Sequence, residues 1–210
     1  SAPTRHFDAD TIRRGAIACL PLLPSTMIFG AVLGVLATQR GLSLGELLFM
    51  SLTVFAGSAQ FVSVDLWRET IPSVTIIVAT AVINLRYVLI GASLRPVFRG
   101  RPLWVKICGM HMVADENWAV TMTQENLANP GFLLGGGIFL GVVWAAGNTI
   151  GYLLGGGIPD PNVYALDFAF TAVFAALTVG MWKGRVDLLP WLGITPCPAH
   201  GRSLPGPGPG

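Results

Sequence analysis

Asn84-Leu85-Arg86 lies inside an apolar run from Ser73 to Leu94. About 20 apolar residues suffice to cross a bilayer. An arginine placed there costs roughly 2.5–3.5 kcal/mol on insertion scales, so it needs a partner, water or a solute path. Two carboxylates, Asp115 and Glu116, interrupt a second apolar stretch at Met112-Val113-Ala114-Asp115-Glu116-Asn117-Trp118. Adjacent residues on a helix point roughly 100° apart. One acid is therefore expected to reach Arg86 while the other meets water or headgroups. Such a pair either neutralises charge and fixes packing, or relays a proton or solute.

Neutral polar groups accompany these charges. Gln60 and Ser58 fall in Phe55-Ala56-Gly57-Ser58-Ala59-Gln60-Phe61. If that segment is helical, Ser51, Phe55 and Ser58 share a face. The face either bonds a neighbouring helix or lines a path. Asp167, Thr171, Phe174 and Thr178 form a stripe at helical spacing, with Asp167 near an expected interface at Asp160 and Pro161. Asn148, alone in its segment, reads as a packing residue. Together these groups suit a small zwitterion, its carboxylate on Arg86 and its ammonium on an acid. Phe29, Phe55, Phe61 and Phe174 would supply an apolar pocket. His111 precedes Asp115 by one turn, but no third ligand accompanies them, so no metal site is expected.

The elements that must hold these residues read as membrane helices. Hydrophobic residues make up 52% of the 210 and charged residues 11%, against about 25% charged in soluble domains. Mean hydropathy is +0.63. A net charge of +2, without a lysine cluster, gives no reason to expect nucleic acid. Cys19, Cys108 and Cys197 form no disulfide framework.

Six apolar stretches run from Ile12 to Thr38, Leu44 to Trp67, Ile71 to Leu94, Leu103 to Thr123, Gly131 to Leu154 and Val163 to Trp182. The expectation is an all-α polytopic membrane protein with at least one segment broken or re-entrant. Residues 1–11 form a polar lead-in, 12–191 the membrane domain, and 192–210 a Pro/Gly-rich tail expected to be disordered. The first apolar stretch is too long and glycine-rich for a signal peptide and is expected to be a retained helix.

Local signals add detail. Ser43-Leu44-Gly45-Glu46 has the form of a capping box. Pro21 and Pro24 make the first helix irregular. It is either kinked, with Gly30 and Gly34 packing a neighbour, or broken, with freed backbone groups facing a solute. Gly147, Gly151 and Gly155 form a ladder suited to close helix approach. No phosphate loop is present, since no strand precedes the glycines and no Gly-Lys-Ser/Thr follows. Arg5, Arg13 and Arg14 precede the first segment, while Arg95, Arg99, Arg101 and Lys106 follow the third. Both groups should prefer the cytoplasm, yet three full crossings would separate them. A re-entrant second segment, small and polar at its centre, removes the conflict but leaves Lys183 and Arg185 outside.

The motifs resemble the AzlC family, the large subunit of bacterial branched-chain amino acid exporters. The resemblance rests on Leu20-Pro21, Phe29-Gly30, Met50-Ser51, Phe55 to Phe61, Asn84-Leu85-Arg86, Asp115-Glu116 with Ala119-Val120-Thr121, and Leu166 to Phe170 before Phe174. It spans about Arg14 to Trp191. It implies an inner-membrane permease working with a small AzlD-type membrane partner. It implies export of valine, leucine or isoleucine, with methionine a further candidate, driven by an ion gradient. The chain has no ATP-binding motif, and no cofactor is implied. The expected pathway residues are Phe29, Gly30, Ser58, Gln60, Asn84, Arg86, Asp167 and Thr171. Arg86, Asp115 and Glu116 are the expected charge relay. Family members usually continue with a hydrophobic segment where this chain has Gly193 to Gly210, so the tail reads as an altered or frameshifted terminus.

Other classes fit less well. A permease for another small zwitterion or neutral solute would use the same groups. A non-transporting scaffold subunit would need Arg86 only for assembly. An intramembrane aspartyl protease would need Tyr-Asp and Gly-x-Gly-Asp patterns, which this sequence lacks. The chain is therefore read as a non-enzyme.

Overall fold

The computed structural model describes residues 7–68, 70–124 and 129–157. Every regular element among them is helical. The sixth apolar stretch and the tail lie outside the described residues.

Helix α1 (Ala9–Ala18) is capped by Asp8, which accepts from Thr11 N at 3.3 Å. A 3-10 turn over Leu20–Leu22 contains Pro21, and α2 (Leu23–Gln39) restarts with Pro24 in its first turn. The prolines thus tighten the first span without ending it. Across the turn, Ala9–Gln39 is long and apolar enough to cross a membrane. Two other runs qualify. One is Ser73–Ser93, made of α5 (Ser73–Asn84) and α6 (Arg86–Ser93). The other is the later helix Pro130–Gly155.

Among the described residues, the second and fourth apolar stretches are each broken in two. The second forms α3 (Leu44–Thr53) and α4 (Gly57–Asp65), with extended backbone between them. The expected capping box is present, Ser43 Oγ accepting from Glu46 N and Glu46 accepting from Ser43 N. The shared face of Ser51, Phe55 and Ser58 does not exist, because the helix ends at Thr53. After the short α7 (Arg95–Phe98), the fourth stretch forms α8 (Leu103–His111) and α9 (Asp115–Met122). The sequence predicts one continuous segment there, and the structure breaks it between His111 and Asp115. Helix α10 (Pro130–Gly155) follows.

Helix α10 is the frame on which the rest is laid. Gly135 lies against Ile12, Gly147 against Met27, Gly151 against Ala31 and Gly155 against Val35. The partner numbers rise together, so α10 runs parallel to α1 and α2. The approach is backbone on backbone: a Cβ on Gly151 would sit 1.9 Å from Ala31 O. Small residues permit this contact, and it provides the van der Waals packing that membrane helices need. Gly30 belongs to the same seam, facing Trp144 O and Gly147 Cα. It is therefore a packing position of the kinked-helix kind.

Both broken segments turn back. Arg40, just after α2, pairs with Asp65 at the end of α4 at 2.9 Å. Helices α3 and α4 therefore enter and leave at the same end of the molecule. Half-helices of nine or ten residues are about 14 Å long, half the ~30 Å hydrocarbon core. At the other end, Phe7 meets Trp104 with ring centroids 5.6 Å apart, and Asn129 Nδ2 donates to Thr11 Oγ1 at 3.1 Å. The starts of α1, α8 and α10 are thus neighbours. Asn117 Nδ2 donates to Leu133 O, so α9 descends along α10 towards that same end. The second pair is a hairpin entering from the side opposite to the first. Arg13, Arg14 and the Arg95–Lys106 cluster then share one end, the first hairpin alone resolving the charge conflict in the sequence.

The α5–α6 span presents an apolar surface outward. Helix α5 has no buried residue, and Val74, Ile77, Val82, Val88 and Leu89 are each more than 60% exposed. Such a continuous face suits hydrocarbon, not water. On the inner side, Ile90, Leu94, Val97 and Phe98 pack with Val113 and Leu133, joining the span to the second hairpin and α10.

Candidate functional site

The two hairpin tips meet midway between the ends. His111 Nε2 lies 2.9 Å from Leu52 O, and the Phe55 and His111 rings are 6.3 Å apart. Breaking a helix inside a membrane frees backbone groups that lipid cannot satisfy. Each tip solves this with one buried amide side chain. In the first, Gln60 is 1% exposed and its Nε2 donates to Val54 O. Its Oε1 accepts from Trp144 Nε1 at 3.0 Å and Ser51 Oγ at 3.3 Å. In the second, Asn117 Oδ1 accepts from Ala114 N at 2.7 Å. Its Nδ2 donates to Met112 O at 2.8 Å and Leu133 O at 3.0 Å.

Arg86 ties the tips together. It begins α6, within the Ser73–Ser93 span. Its Nη1 lies 2.6 Å from Asp115 Oδ2 on the second hairpin, and its Nη2 donates to Ser58 Oγ on the first at 2.8 Å. The guanidinium carbon sits 5.2 Å from the Tyr87 ring centroid. The arginine is thus met by a carboxylate, a hydroxyl and an aromatic face, which offsets its insertion cost. Polar capacity remains: Arg86 Nε and Asn84 Oδ1 are buried and have no hydrogen-bond partner among the described residues.

Beside this junction lies a cavity with an empty volume of about 410 Å³, part of it open to solvent. Thr26 of α2 forms one part of its wall. The first hairpin contributes Ser51, Phe55, Ala56, Gly57 and Gln60, and the second contributes Ala114 and Glu116. Leu140 and Trp144 come from α10. Asp115 and Glu116 diverge as adjacent helical residues must, Asp115 to Arg86 and Glu116 to the cavity.

Among the sequence-derived pathway residues, Gln60 lines the cavity, while Ser58, Asn84 and Arg86 belong to the adjoining junction. Phe29 is half-buried on α2 and Gly30 lies in the α10 seam; neither lines the cavity. Asp167 and Thr171 lie outside the described residues. Asn148 is fully buried. Its amide, oriented to donate to Gly30 O at 2.9 Å, lies 2.8 Å from Ser51 Oγ, joining α2, α3 and α10. No group of three metal-ligating side chains occurs among the described residues.

Sequence reasoning missed Thr26, Leu140, Trp144 and the role of Asn117. Trp144 carried a usable signal, since a tryptophan N–H in an apolar helix needs an acceptor. Asn117 carried another: it stands three residues after Ala114, where a side-chain oxygen reaches a helix's free first amides.

An AzlC protein family model matches residues 21–158 of the chain. An uncharacterized membrane protein of Archaeoglobus fulgidus is 30% identical over 175 residues, covering 82% of this chain and 77% of that protein. An uncharacterized membrane protein of Helicobacter pylori strain 26695 is 24% identical over 179 residues, covering 83% and 78%. The branched-chain amino acid transport protein AzlC of Bacillus subtilis is 26% identical over 185 residues, covering 84% and 71%. No solved structure matches the chain. The family match takes in both hairpins, the Arg86 junction and the cavity wall, and this membrane protein belongs to the AzlC family.

Proposed function

We propose that the chain is the large subunit of a secondary transporter that exports branched-chain amino acids across the bacterial inner membrane. A small AzlD-type membrane protein is its partner. Its relative in Bacillus subtilis carries the name of a branched-chain amino acid transport protein, which supports the substrate class. The observation that carries the reading is the Ser58–Arg86–Asp115 junction beside a cavity between two hairpins of opposite entry. Ionisable groups inside a membrane bundle mark solute or ion pathways. Discontinuous helices meeting near the midplane are a recurring way to build such a site.

In this reading the end bearing Arg13, Arg14, Arg95, Arg99, Arg101 and Lys106 faces the cytoplasm, as positive-inside bias directs. The α8–α9 hairpin then borders the cytoplasmic approach and the α3–α4 hairpin the outer one. Arg86, bonded to both tips, holds them together until a solute or proton displaces one contact.

The test is efflux of preloaded labelled valine and leucine from cells lacking endogenous exporters. The chain is expressed with and without an AzlD-type partner. Partner-dependent efflux is expected. Efflux of a different small zwitterion, but of neither amino acid, would assign another substrate. No efflux of any solute, with the chain folded in the membrane beside its partner, would leave a scaffold subunit.

A further inference from the structure

Glu116 is the one ionisable side chain in the cavity wall among the described residues. Its neighbour Asp115 is already bound by Arg86. Glu116 forms no ion pair with any described residue, and no basic side chain lines the cavity with it. Glu116 is exposed where the cavity opens, so its carboxylate is accessible to an entering solute, and in largely apolar surroundings within a membrane bundle its complement is a cation. The rest of the wall says which cation. Ser51 and Gln60 are already hydrogen-bonded within the protein, and Thr26, Phe55 and Leu140 add one hydroxyl and apolar surface, poor surroundings for a metal ion that needs six or more oxygens. Trp144 is held in the wall by its bond to Gln60 and by edge contact with Phe61, ring centroids 6.3 Å apart. An indole ring is the best aromatic partner for an ammonium ion.

Resting on the reading of this cavity as the solute site, we propose that Glu116 and Trp144 form a recognition site for a primary ammonium group attached to an aliphatic chain. The assignment differs from the sequence expectation, in which Arg86 takes the substrate carboxylate. The terminal nitrogens of Arg86 already meet Asp115 and Ser58, and Arg86 is not part of the cavity wall. The solute is therefore selected first by its amino end. Glu116 does not serve mainly as a proton carrier.

Three ligands of one shape test this. Leucine carries both charges, 3-methylbutylamine only the ammonium, and 4-methylpentanoate only the carboxylate. Each is titrated against the detergent-purified full chain with its AzlD-type partner. Leucine and 3-methylbutylamine are expected to bind and 4-methylpentanoate is not. E116Q should weaken both by at least tenfold, E116D should retain part of the affinity, and W144F should weaken both by a few-fold. Unchanged leucine affinity in a folded E116Q, with only the pH dependence of efflux altered, overturns the proposal in favour of proton transfer. Wild-type binding of 4-methylpentanoate but not of the amine also overturns it. If the amine binds through Glu116 and leucine does not bind at all, the ammonium site stands and the amino acid assignment fails.

Discussion

The two hairpins solve the same backbone problem and then diverge in chemistry. Each breaks near the middle, resumes after an alanine, and bonds its freed backbone groups to an amide three or four residues on. Gln60 does this after Ala56, and Asn117 after Ala114. The first resumed helix then begins Gly57-Ser58 and the second Asp115-Glu116. One tip is neutral and small, the other doubly acidic. Break geometry and site chemistry are thus set by different residues, and substitutions should separate them.

The largest effect is expected where the second tip rests on α10. A Cβ on Gly137 would lie 2.3 Å from Met112 O, a backbone atom that cannot move aside cheaply. Gly137→Val should expel the hairpin and abolish recovery of monodisperse protein from the membrane. The two amides come next. Asn117→Ala strands two buried carbonyls and an N–H, and Gln60→Ala strands Val54 O and two donors. Each unsatisfied buried group costs about 1–3 kcal/mol, so both variants should lower the unfolding temperature in detergent. Equal losses would support the parallel between the tips, and a silent Gln60→Ala would break it.

Arg86 tests the divergence. Arg86→Ala frees both tips and leaves Asp115 unpaired. With the pair about 40% exposed, the loss is discounted to roughly 1–2 kcal/mol of stability, and efflux should fall. Arg86→Lys keeps the charge but loses the fork that reaches Asp115 and Ser58 together, so it should also impair efflux. Full efflux by both variants would end the coupling role. The smallest effect belongs to Gly57→Ala. Its Cβ would lie 3.1 Å from the far edge of the Trp144 ring, which borders the open cavity and would need to shift by only a few tenths of an ångström. A stability change under about 1 kcal/mol is expected from so slight a crowding. A larger one would mean that the neutral tip is as tightly seated as the acidic one.

Much of this arrangement was legible in the residues. The all-helical membrane fold followed from hydropathy, the α3 cap from Ser43 and Glu46, and the α10 seam from its glycines. A re-entrant second segment followed from the placement of arginines. The fourth segment was not legible as a hairpin, because Met112-Val113-Ala114 carries no proline or glycine. The break there is stabilised by Asn117 and by contact with Gly137, which is tertiary information. The cavity was half legible. Polar residues in apolar runs announce themselves, as Gln60 and Glu116 did. Apolar wall residues such as Leu140 look like any packing residue until neighbours are known.

The paired reversals have a practical consequence for mapping the chain across a membrane. Five full passes and three passes with two hairpins leave the start of α1 and the end of α10 on the same pair of opposite sides. Reporter fusions at those two points would therefore be blind to the difference. Only the connections near Ile71 and Gly100 change sides between the two schemes, so tags inserted there would read inverted signals.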